Sequence, residues 1–350
     1  MLTELHLHHF RCFDSLHAEW LPGANFVIGA NAQGKTSILE AICCLLRLQS
    51  PRTSTLGHAA QHGHPSFSLQ GKFSDTHLRF DYPPRSIMLD GKAQSRSADY
   101  LKTGLVAWFS NDDMQLVRGS SSGRRRYLDF ICAQLDGTYL PSLRTYDRAL
   151  RSRNYLLKQP RPSRQEIAAW NAPLTEAGTV ILNARARVLT DLDSPIRSAA
   201  EAIGGCNEML HITYQPGAVG NFAEALLASA DEEMRLRVTT VGPHRDDFHL
   251  LLHGKDASSF ASEGQQRTIA LALKLAHVHV IKAKTNRMPI LLIDDIFGEL
   301  DPERRNRLMS ALPSDAQQVI TTTHLTWLKL PHPAAVFELS ERTLKQKKIA

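Results

Sequence analysis

The sequence predicts an α/β fold that is divided by an inserted, mainly helical lobe. Three observations predict it. A G-x-x-x-x-G-K-T motif occupies residues 29–36, and more than 250 residues later the apolar run Pro289–Asp295 ends in two acids. Between them, apolar residues recur at helical spacing at Leu174, Ile181 and Val188. The motif and the acid-bearing strand are therefore expected in one sheet, with helices inserted between them in the chain.

The motif at residues 29–36 has the context of a phosphate-binding loop. Asn25–Ile28 has the pattern of a short buried strand and Ser37–Leu46 that of a helix. Backbone N–H groups of such a loop face a triphosphate, where the helix dipole favours negative charge. We expect Lys35 to reach the β- and γ-phosphates of ATP, and Thr36 to hold Mg²⁺ through its hydroxyl. The predicted nucleotide contacts of the loop are Gly29, Ala30, Asn31, Ala32, Gln33, Gly34, Lys35 and Thr36.

Two adjacent acids end the strand pattern at Pro289–Asp295. Two carboxylates at a sheet edge are costly without a cation, so the pair indicates bound Mg²⁺. The expected division places Asp294 on the metal, while Asp295 orients or deprotonates the attacking water. Alone, an acid pair after an apolar run is weak evidence for a nucleotide site. Together with a phosphate loop in the same chain, it is strong evidence.

Ser262 opens a predicted apolar helix that runs to about Ile281. In one interpretation Ser262 is an ordinary N-cap. In the other, Ser262-Glu-Gly-Gln-Gln-Arg267 resembles the signature motif of ATP-binding-cassette (ABC) ATPases, which binds the γ-phosphate held by a second subunit. The resemblance makes Ser262, Gly264 and Gln265 nucleotide contacts.

Two further segments favour the signature interpretation. Glu299-Leu-Asp301 follows the acid pair at the spacing of the ABC D-loop. Val319–His324 is an apolar strand pattern that ends in histidine, as in the H-loop of that family. His324 is therefore a candidate sensor of the γ-phosphate, although a single histidine at a strand end is usually structural.

Composition narrows the function classes. A chain of 350 residues with 43% hydrophobic content can bury an ample core, and no apolar run reaches membrane-spanning length. The N-terminus lacks a basic-then-apolar signal pattern, so a cytoplasmic protein without a membrane partner is expected. The five cysteines show no C-x-x-C pairing. The histidine groups at 6, 8 and 9 and at 58, 62 and 64 lack an acid or cysteine at ligand spacing, so no metal is predicted there.

Positive charge is concentrated in one segment. Residues 114–165 contain eleven Arg and Lys against three acids, whereas the whole chain has a formal net charge of +6. Arg144, Arg148 and Arg151 recur at helical spacing and could form one face. Charged helix faces are usually solvated and of mixed sign, so a face of one sign favours a polyanionic partner, most simply DNA.

These landmarks divide the chain. Residues 1–112 and 236–350 are predicted to form the ATP-binding head, which is split in sequence, and residues 113–235 a mainly helical, basic lobe. The lobe is too short and too rich in proline for a long coiled coil.

The assembled motifs resemble the RecF family, which is related to the SMC-type chromosome ATPases but lacks their coiled coil. The resemblance runs nearly end to end. Its most specific elements are Arg124-Arg-Arg-Tyr-Leu-Asp129 and Gly242-Pro-His-Arg-Asp-Asp247, which ABC ATPases in general do not share. It implies an ABC/SMC-type P-loop ATPase head with an inserted helical lobe.

The resemblance also implies a function. Proteins of this family bind ATP and Mg²⁺, form ATP-dependent homodimers, and bind double-stranded DNA beside single-stranded gaps. Their slow, DNA-stimulated hydrolysis acts as a switch. With RecO and RecR they assist RecA loading, replication restart and the SOS response.

Other classes of protein share part of the pattern. The nucleotide-binding subunit of an ABC transporter has the loop and the acid pair, but places its signature soon after the loop, whereas roughly 230 residues intervene here. An SMC-like ATPase acting on a partner other than DNA remains an alternative.

Overall fold

The structure, a computed structural model, describes residues 1–53, 55–205, 209–325 and 334–347. It divides into two compact units. Unit 1 contains residues 1–113, 202–204 and 281–350, and unit 2 contains residues 114–201 and 205–280. The first division lies at 113/114, beside the boundary that the sequence predicted at 112/113, and the last lies at 280/281 within a helix, whereas the sequence predicted a boundary near residue 236.

Fifteen strands are formed by the described residues. They are β1 (Leu2–Phe10), β2 (Phe13–Glu19), β3 (Ala24–Ile28), β4 (Phe67–Phe73), β5 (Thr76–Tyr82), β6 (Ser86–Leu89), β7 (Lys92–Ala93), β8 (Val106–Ser110), β9 (Leu210–Gln215), β10 (Asp247–Leu252), β11 (Lys255–Asp256), β12 (Ile290–Asp294), β13 (Gln318–Thr322), β14 (Ala334–Ser340) and β15 (Thr343–Lys347).

The same residues form twelve α-helices. They are α1 (Lys35–Arg47), α2 (Ser97–Leu101), α3 (Met114–Arg118), α4 (Ser121–Leu135), α5 (Tyr139–Leu157), α6 (Arg164–Ala168), α7 (Asn171–Gly204), α8 (Phe222–Ala228), α9 (Ala230–Leu236), α10 (Ala257–Phe260), α11 (Glu263–Thr285) and α12 (Pro302–Ala311). No helix of the described segments is long and apolar enough to cross a membrane.

Unit 1 contains two six-stranded sheets. One has the order β15-β14-β3-β13-β12-β8, in which β14, β3, β13, β12 and β8 run parallel. Its central strands β3, β13 and β12 are almost continuously buried, as parallel strands covered on both faces must be. The other sheet is antiparallel, with the order β2-β1-β4-β5-β6-β7, and its strands alternate buried and exposed residues. The phosphate loop and the acid pair therefore follow two parallel strands of one sheet, β3 and β12, with β13 between them.

Unit 2 is mainly helical but also contains a three-stranded sheet, β11-β10-β9. The predicted apolar positions Leu174, Ile181 and Val188 lie on α7 and are buried. Pro141 and Pro173 lie in the first turns of α5 and α7, where the missing N–H has no helical partner to lose. Strand β9 lies inside the segment predicted to be helical. Its residues Leu-His-Ile-Thr-Tyr alternate between apolar and polar side chains, which is the pattern of a strand.

The two elements that most specify the family lie in unit 2 and bind each other. Arg124 of α4 makes two hydrogen bonds to the carboxylate of Asp247, from Nε at 2.6 Å and from Nη2 at 2.8 Å. Arg125 donates to the carbonyl oxygen of Asp246 at 2.8 Å. The Arg124–Asp129 and Gly242–Asp247 elements are thus structural partners, a role that the sequence alone did not indicate.

Arg185 of α7 completes this network. It donates to Asp246 at 2.7 Å, to Asp129 at 2.7 Å and to the carbonyl oxygen of Pro243 at 2.6 Å. Arg185 and Asp246 are buried, with 3% and 0% of their side chains exposed. Since a buried charge requires partners, this arrangement fixes α4, α7 and the start of β10 relative to one another.

Candidate nucleotide-binding site

The phosphate loop connects β3 to α1 in the conformation that its glycines require. Gly34 has a φ of +104°, and a Cβ atom there would lie 2.6 Å from Sγ of Cys12 and 2.7 Å from Cζ of Phe13. Gly29 has no such φ, but a Cβ atom at that position would lie 2.5 Å from the carbonyl oxygen of Leu339. Both positions therefore need glycine, one for its backbone angle and both for space.

Lys35 is buried and folds back over its own loop. Its Nζ donates to the carbonyl oxygens of Gly29 at 2.7 Å and Ala30 at 2.9 Å. Burial lowers the pKa of Lys35, while the carboxylates of Asp295 and Asp294 act in the opposite direction. The ammonium group is thus held at the mouth of the loop, near both acids.

Thr36 and Asp294 meet at the edge of the parallel sheet, although they are 258 residues apart in the chain. The Thr36 hydroxyl donates to Oδ1 of Asp294 at 2.9 Å, and Thr321 of β13 donates to the same oxygen at 2.8 Å. Burial raises the pKa of Asp294, against the opposing effect of these hydrogen bonds and of nearby Arg52 and Lys35. A hydroxyl and a carboxylate side by side are oxygen ligands of the kind that Mg²⁺ prefers, so the residues fit that ion.

Asp295 follows at the end of β12 with a φ of +48°. Its backbone N–H donates to Thr321 of the neighbouring strand, and its carbonyl oxygen accepts from Asn111. Burial raises the pKa of its carboxyl group, Lys35 opposes that shift, and His324 also lowers the pKa. His324 is therefore within electrostatic reach of Asp295. Its own ring contacts the hydroxyl of Thr323 at 3.0 Å.

The pocket over the loop has side chains that the sequence did not predict. Arg11 donates to both carboxylate oxygens of Glu40, at 2.9 and 2.6 Å, and to the carbonyl oxygen of His58. Arg52 forms a second ion pair with the buried carboxylate of Glu40 at 3.1 Å. Arg11, Arg52 and His58 line the same pocket as Lys35. The available signal in the sequence is the arginine of each of the segments Phe10-Arg-Cys-Phe13 and Ser50-Pro-Arg-Thr53, which are also part of the resemblance to the RecF family.

The signature segment begins α11 in unit 2. The N–H of Gln265 donates to Oγ of Ser262 at 3.3 Å, and the N–H of Ser262 donates to Oε1 of Gln265 at 2.9 Å. This reciprocal pair is a capping box, so Ser262 is the N-cap of α11. Ser262 and Glu263 are exposed and Gly264 is half-buried. The hydroxyl is thus presented at a helix N-terminus, which attracts anions.

The basic segment is only partly a surface feature. Arg144, Arg148 and Arg151 are exposed on α5 at helical spacing. Arg153, by contrast, is buried and pairs with Glu233 at 2.6 Å, while Arg124 pairs with Asp247. The count of eleven cations in the segment therefore overstates its surface charge, although the predicted face itself is present.

Solved structures share this architecture. The chain matches a structure described as "Structure of the recombination mediator protein RecF-ATPrS in RecFOR pathway" with a TM-score of 0.89 and 28% identity, over 99% of this chain and 98% of that one. It also matches the Smc head bound to the C-winged helix domain of ScpA, with a TM-score of 0.57 and 14% identity over 100% and 97% of the two chains. The second likeness concerns the fold alone.

Fold and site together define a P-loop ATPase head of the ABC/SMC type. The family model for the RecF/RecN/SMC N terminal domain matches residues 1–329. The DNA replication and repair protein RecF of Symbiobacterium thermophilum is 38% identical over 93% of this chain and 92% of its own, and that of Lactococcus lactis is 33% identical over 99% of both. The chain belongs to the RecF family.

Proposed function

We propose that this protein is an ATP-operated switch that binds DNA in recombinational repair. The hydrogen bond between Thr36 and Asp294 carries the proposal, since it joins the phosphate loop to the acid strand in the arrangement that a bound Mg–nucleotide needs. The chain also resembles a RecF–ATP structure with a TM-score of 0.89, which supports ATP as the nucleotide.

Within one subunit the side chains divide the work. Lys35 exchanges its two loop carbonyls for the β- and γ-phosphates, and the loop N–H groups of residues 29–36 bind the remaining phosphate oxygens. Thr36 and Asp294 hold Mg²⁺, which would neutralise phosphate charge when bound. Asp295 orients or deprotonates the attacking water, and His324 senses the γ-phosphate. The proximity of Asp295 to both Lys35 and His324 supports this assignment.

A second subunit completes the site. Ser262, Gly264 and Gln265 of one protomer bind the γ-phosphate held by the other, so that ATP favours the closed dimer through its higher affinity for that state. The exposed N-terminus of α11 supports this role. Hydrolysis is slow and stimulated by DNA, and it reopens the dimer.

The closed dimer binds double-stranded DNA beside single-stranded gaps, with Arg144, Arg148 and Arg151 on the phosphates. The exposure of all three on one helix supports their role. RecR and RecO are the expected protein partners, and RecA loading, replication restart and the SOS response are the expected processes. A structural neighbour that its description places in the RecFOR pathway supports this assignment.

The deciding experiment measures binding to gapped duplex DNA with and without ATP, using fluorescence anisotropy at fixed salt. We compare the wild type with Lys35→Arg, which weakens phosphate binding, and Asp295→Asn, which retains nucleotide contacts but slows hydrolysis. We expect ATP to tighten DNA binding by the wild type, to have little effect on Lys35→Arg, and to prolong the DNA complex of Asp295→Asn.

The dimer is tested separately by mixing two inactive variants. Lys35→Ala removes the loop contact, and Ser262→Arg blocks the signature. If each site combines residues of two subunits, the mixture regains ATPase activity that neither variant has alone. A mixture as inactive as its components, or a wild-type rate per subunit that stays constant on dilution, contradicts the shared site. In the DNA-binding experiment, an affinity of the wild type that does not change when ATP is added contradicts the proposed switch.

A further inference from the structure

A group of metal-ligating side chains lies on unit 1, outside the residues assigned to the nucleotide. His9 at the end of β1, Asp14 on β2 and His64 in the loop before β4 place their ligand atoms within 4.8 Å of one another. The sequence predicted no metal here because no acid accompanies the histidines at ligand spacing. That premise fails, since the turn between β1 and β2 returns Asp14 to the histidines.

The backbone at His9 brings the rings together. Successive side chains of a strand point to opposite faces, yet the rings of His8 and His9 lie 3.8 Å apart. The cause is a left-handed backbone at His9, with a φ of +51°. The ring of His9 then stacks on His64 at 3.7 Å. Such a backbone angle is uncommon for a residue other than glycine, and strained positions cluster at binding sites.

Gln61 holds two of the three ligands in place. Its Oε1 lies 3.2 Å from Nδ1 of His9, and its Nε2 donates to Oδ1 of Asp14 at 2.5 Å. With the Gln61 oxygen as acceptor, Nδ1 of His9 carries the proton and Nε2 keeps its lone pair. Metal-bound histidines and carboxylates are oriented in this way by a partner on their other atom.

The arrangement needs only a small adjustment to bind a metal. Ligands of one tetrahedral zinc ion lie about 3.3 Å apart, given zinc–nitrogen bonds of about 2.0–2.1 Å. Donors within 4.8 Å must therefore approach by about 1.5 Å at most, and Asp14 and His64 are exposed side chains that can rotate. Two imidazoles and one carboxylate, with water in the fourth position, suit Zn²⁺ better than Mg²⁺ or Ca²⁺.

We propose that His9, Asp14 and His64 form a Zn²⁺ site, with Gln61 as its positioning residue. The ion joins the β1–β2 hairpin to residues 58–64. That segment already bonds to the hairpin, from the N–H of Gln61 to the carbonyl oxygen of His9 at 2.8 Å. His58 and Ala60 of the same segment line the nucleotide pocket. Zinc therefore fixes one wall of that pocket.

The test is calorimetric titration of Zn²⁺ into the full-length, untagged protein after chelator treatment, in a large excess of Mg²⁺. Magnesium occupies the oxygen ligands of Thr36 and Asp294, whereas nitrogen ligands remain selective for zinc. Co²⁺ provides a second probe, because tetrahedral Co²⁺ absorbs visible light far more strongly than the hydrated ion. We expect one saturable zinc ion per chain and a visible Co²⁺ spectrum.

Variants locate the site. His64→Ala removes a ligand and should abolish the Co²⁺ spectrum. Gln61→Ala leaves all three ligands and should weaken zinc binding by about tenfold or more. His62→Ala is the matched control, because His62 is exposed in the same loop but lies outside the cluster. A site insensitive to His64→Ala, or equally sensitive to His62→Ala, overturns the proposal, as does the absence of saturable binding by the wild type.

Thermal unfolding shows whether a variant has lost the zinc site or has failed to fold. Zinc at ten times its Kd should raise the Tm of the wild type and of His62→Ala by about 2 °C or more, since only the folded chain assembles the three ligands. His64→Ala should melt cooperatively without zinc and show no such rise. An equal rise in all three proteins means that zinc binds elsewhere and contradicts the site.

Discussion

At the scale of the residue, two independent constraints require glycine at position 34. Its φ of +104° disfavours any side chain, and the buried ring of Phe13 and the thiol of Cys12 occupy the space of a Cβ atom. A substitution there cannot be relieved by a flexible neighbour. The loop must move instead, and with it the N–H groups that we propose bind the phosphates.

We predict that Gly34→Ala abolishes ATP binding and lowers the free energy of unfolding. The backbone angle contributes about 1–2 kcal/mol and overpacking about 1–3 kcal/mol more. Gly91→Ala is the matched control, because Gly91 also has a positive φ, of +75°, but nothing lies within 4 Å of its Cβ position. Urea unfolding and nucleotide titration measure both effects. Equal losses in the two variants would show that the contacts with Phe13 and Cys12 are unimportant.

His244 is a second residue whose surroundings have a measurable consequence. Burial lowers its pKa to about 4, against a hydrogen bond to the carbonyl oxygen of Thr239 and with help from Arg245. Its Nδ1 contacts the hydroxyl of Tyr146 at 2.6 Å. The unfolded chain, with a histidine pKa of about 6.5, binds the proton first as pH falls. The contribution of the neutral His244 ring to the free energy of unfolding is therefore present in full above about pH 6.5. It decreases as the pH falls from there to about 4.

We predict that the wild type loses about 2 kcal/mol of stability through His244 between about pH 7.5 and pH 5. His244→Gln keeps an amide that can donate and accept but does not titrate, so its stability should fall less over the same range. Urea unfolding at both pH values measures the difference, and the other histidines act equally in both proteins. Parallel pH profiles would rule out His244 as the source.

At the scale of the element, the network around Arg185 explains why two distant sequence motifs occur together. It fastens α4 and α7 to the start of β10 through Asp129 and Asp246. Tyr214 of β9 also donates to Asp246 at 2.9 Å. The carboxylate of Asp246 depends most on the guanidinium, because it is fully buried, whereas the Asp129 side chain is 23% exposed.

Arg185→Met should destabilise the protein by about 3–5 kcal/mol, since it leaves the fully buried carboxylate of Asp246 without a counter-charge. Arg164→Met, which breaks an ion pair whose side chains are 67% and 86% exposed, should cost at most about 1 kcal/mol. Adding Asp246→Asn to Arg185→Met should restore part of the loss, as a double-mutant cycle in urea would measure. Strictly additive effects would mean that the two side chains do not interact.

Elements encoded by local pattern were predicted closely. The strand predicted at 25–28 is Ala24–Ile28, the helix predicted at 37–46 is Lys35–Arg47, and the strand predicted at 289–295 is Ile290–Asp294. Two features that depend on distant residues were not predicted. The pairing of Arg124 with Asp247 and the meeting of His9 with Asp14 arise from turns and tertiary packing, which spacing along the chain does not reveal.

The predicted second boundary near residue 236 differs from the structure for the same reason. Residues 236–280 include the strands β10 and β11 and most of the signature helix, which the sequence assigned to the head by motif order. In the structure, Tyr127 of α4 donates to the carbonyl oxygen of Leu273 in α11, and the ring of Tyr127 lies against His277. Packing of α11 against α4 therefore assigns most of that helix to unit 2.

At the scale of the whole molecule, we predict that DNA affinity depends on the face formed by Arg144, Arg148 and Arg151. Replacing all three with alanine should weaken binding and reduce the slope of log K against log salt by up to about 2.7. The control replaces three exposed cations of other elements, Lys92, Arg96 and Arg187, and removes the same charge. Binding measured across a salt series distinguishes them. Equal weakening by both triple variants would indicate a general effect of net charge.

The order of the parallel sheet has a consequence for how the protein is made. Strand β3, which precedes the phosphate loop, has β13 and β14 as its two neighbours, and both are synthesised last. At about 5–20 residues per second, β3 waits about 15–60 s on the ribosome before β13 emerges. During translation this apolar strand has neither neighbour to pair with, so its backbone N–H and C=O groups stay open to pairing with other chains. A chain terminated before residue 318 lacks both neighbours of β3, so the part of the sheet that holds the phosphate loop cannot assemble in it.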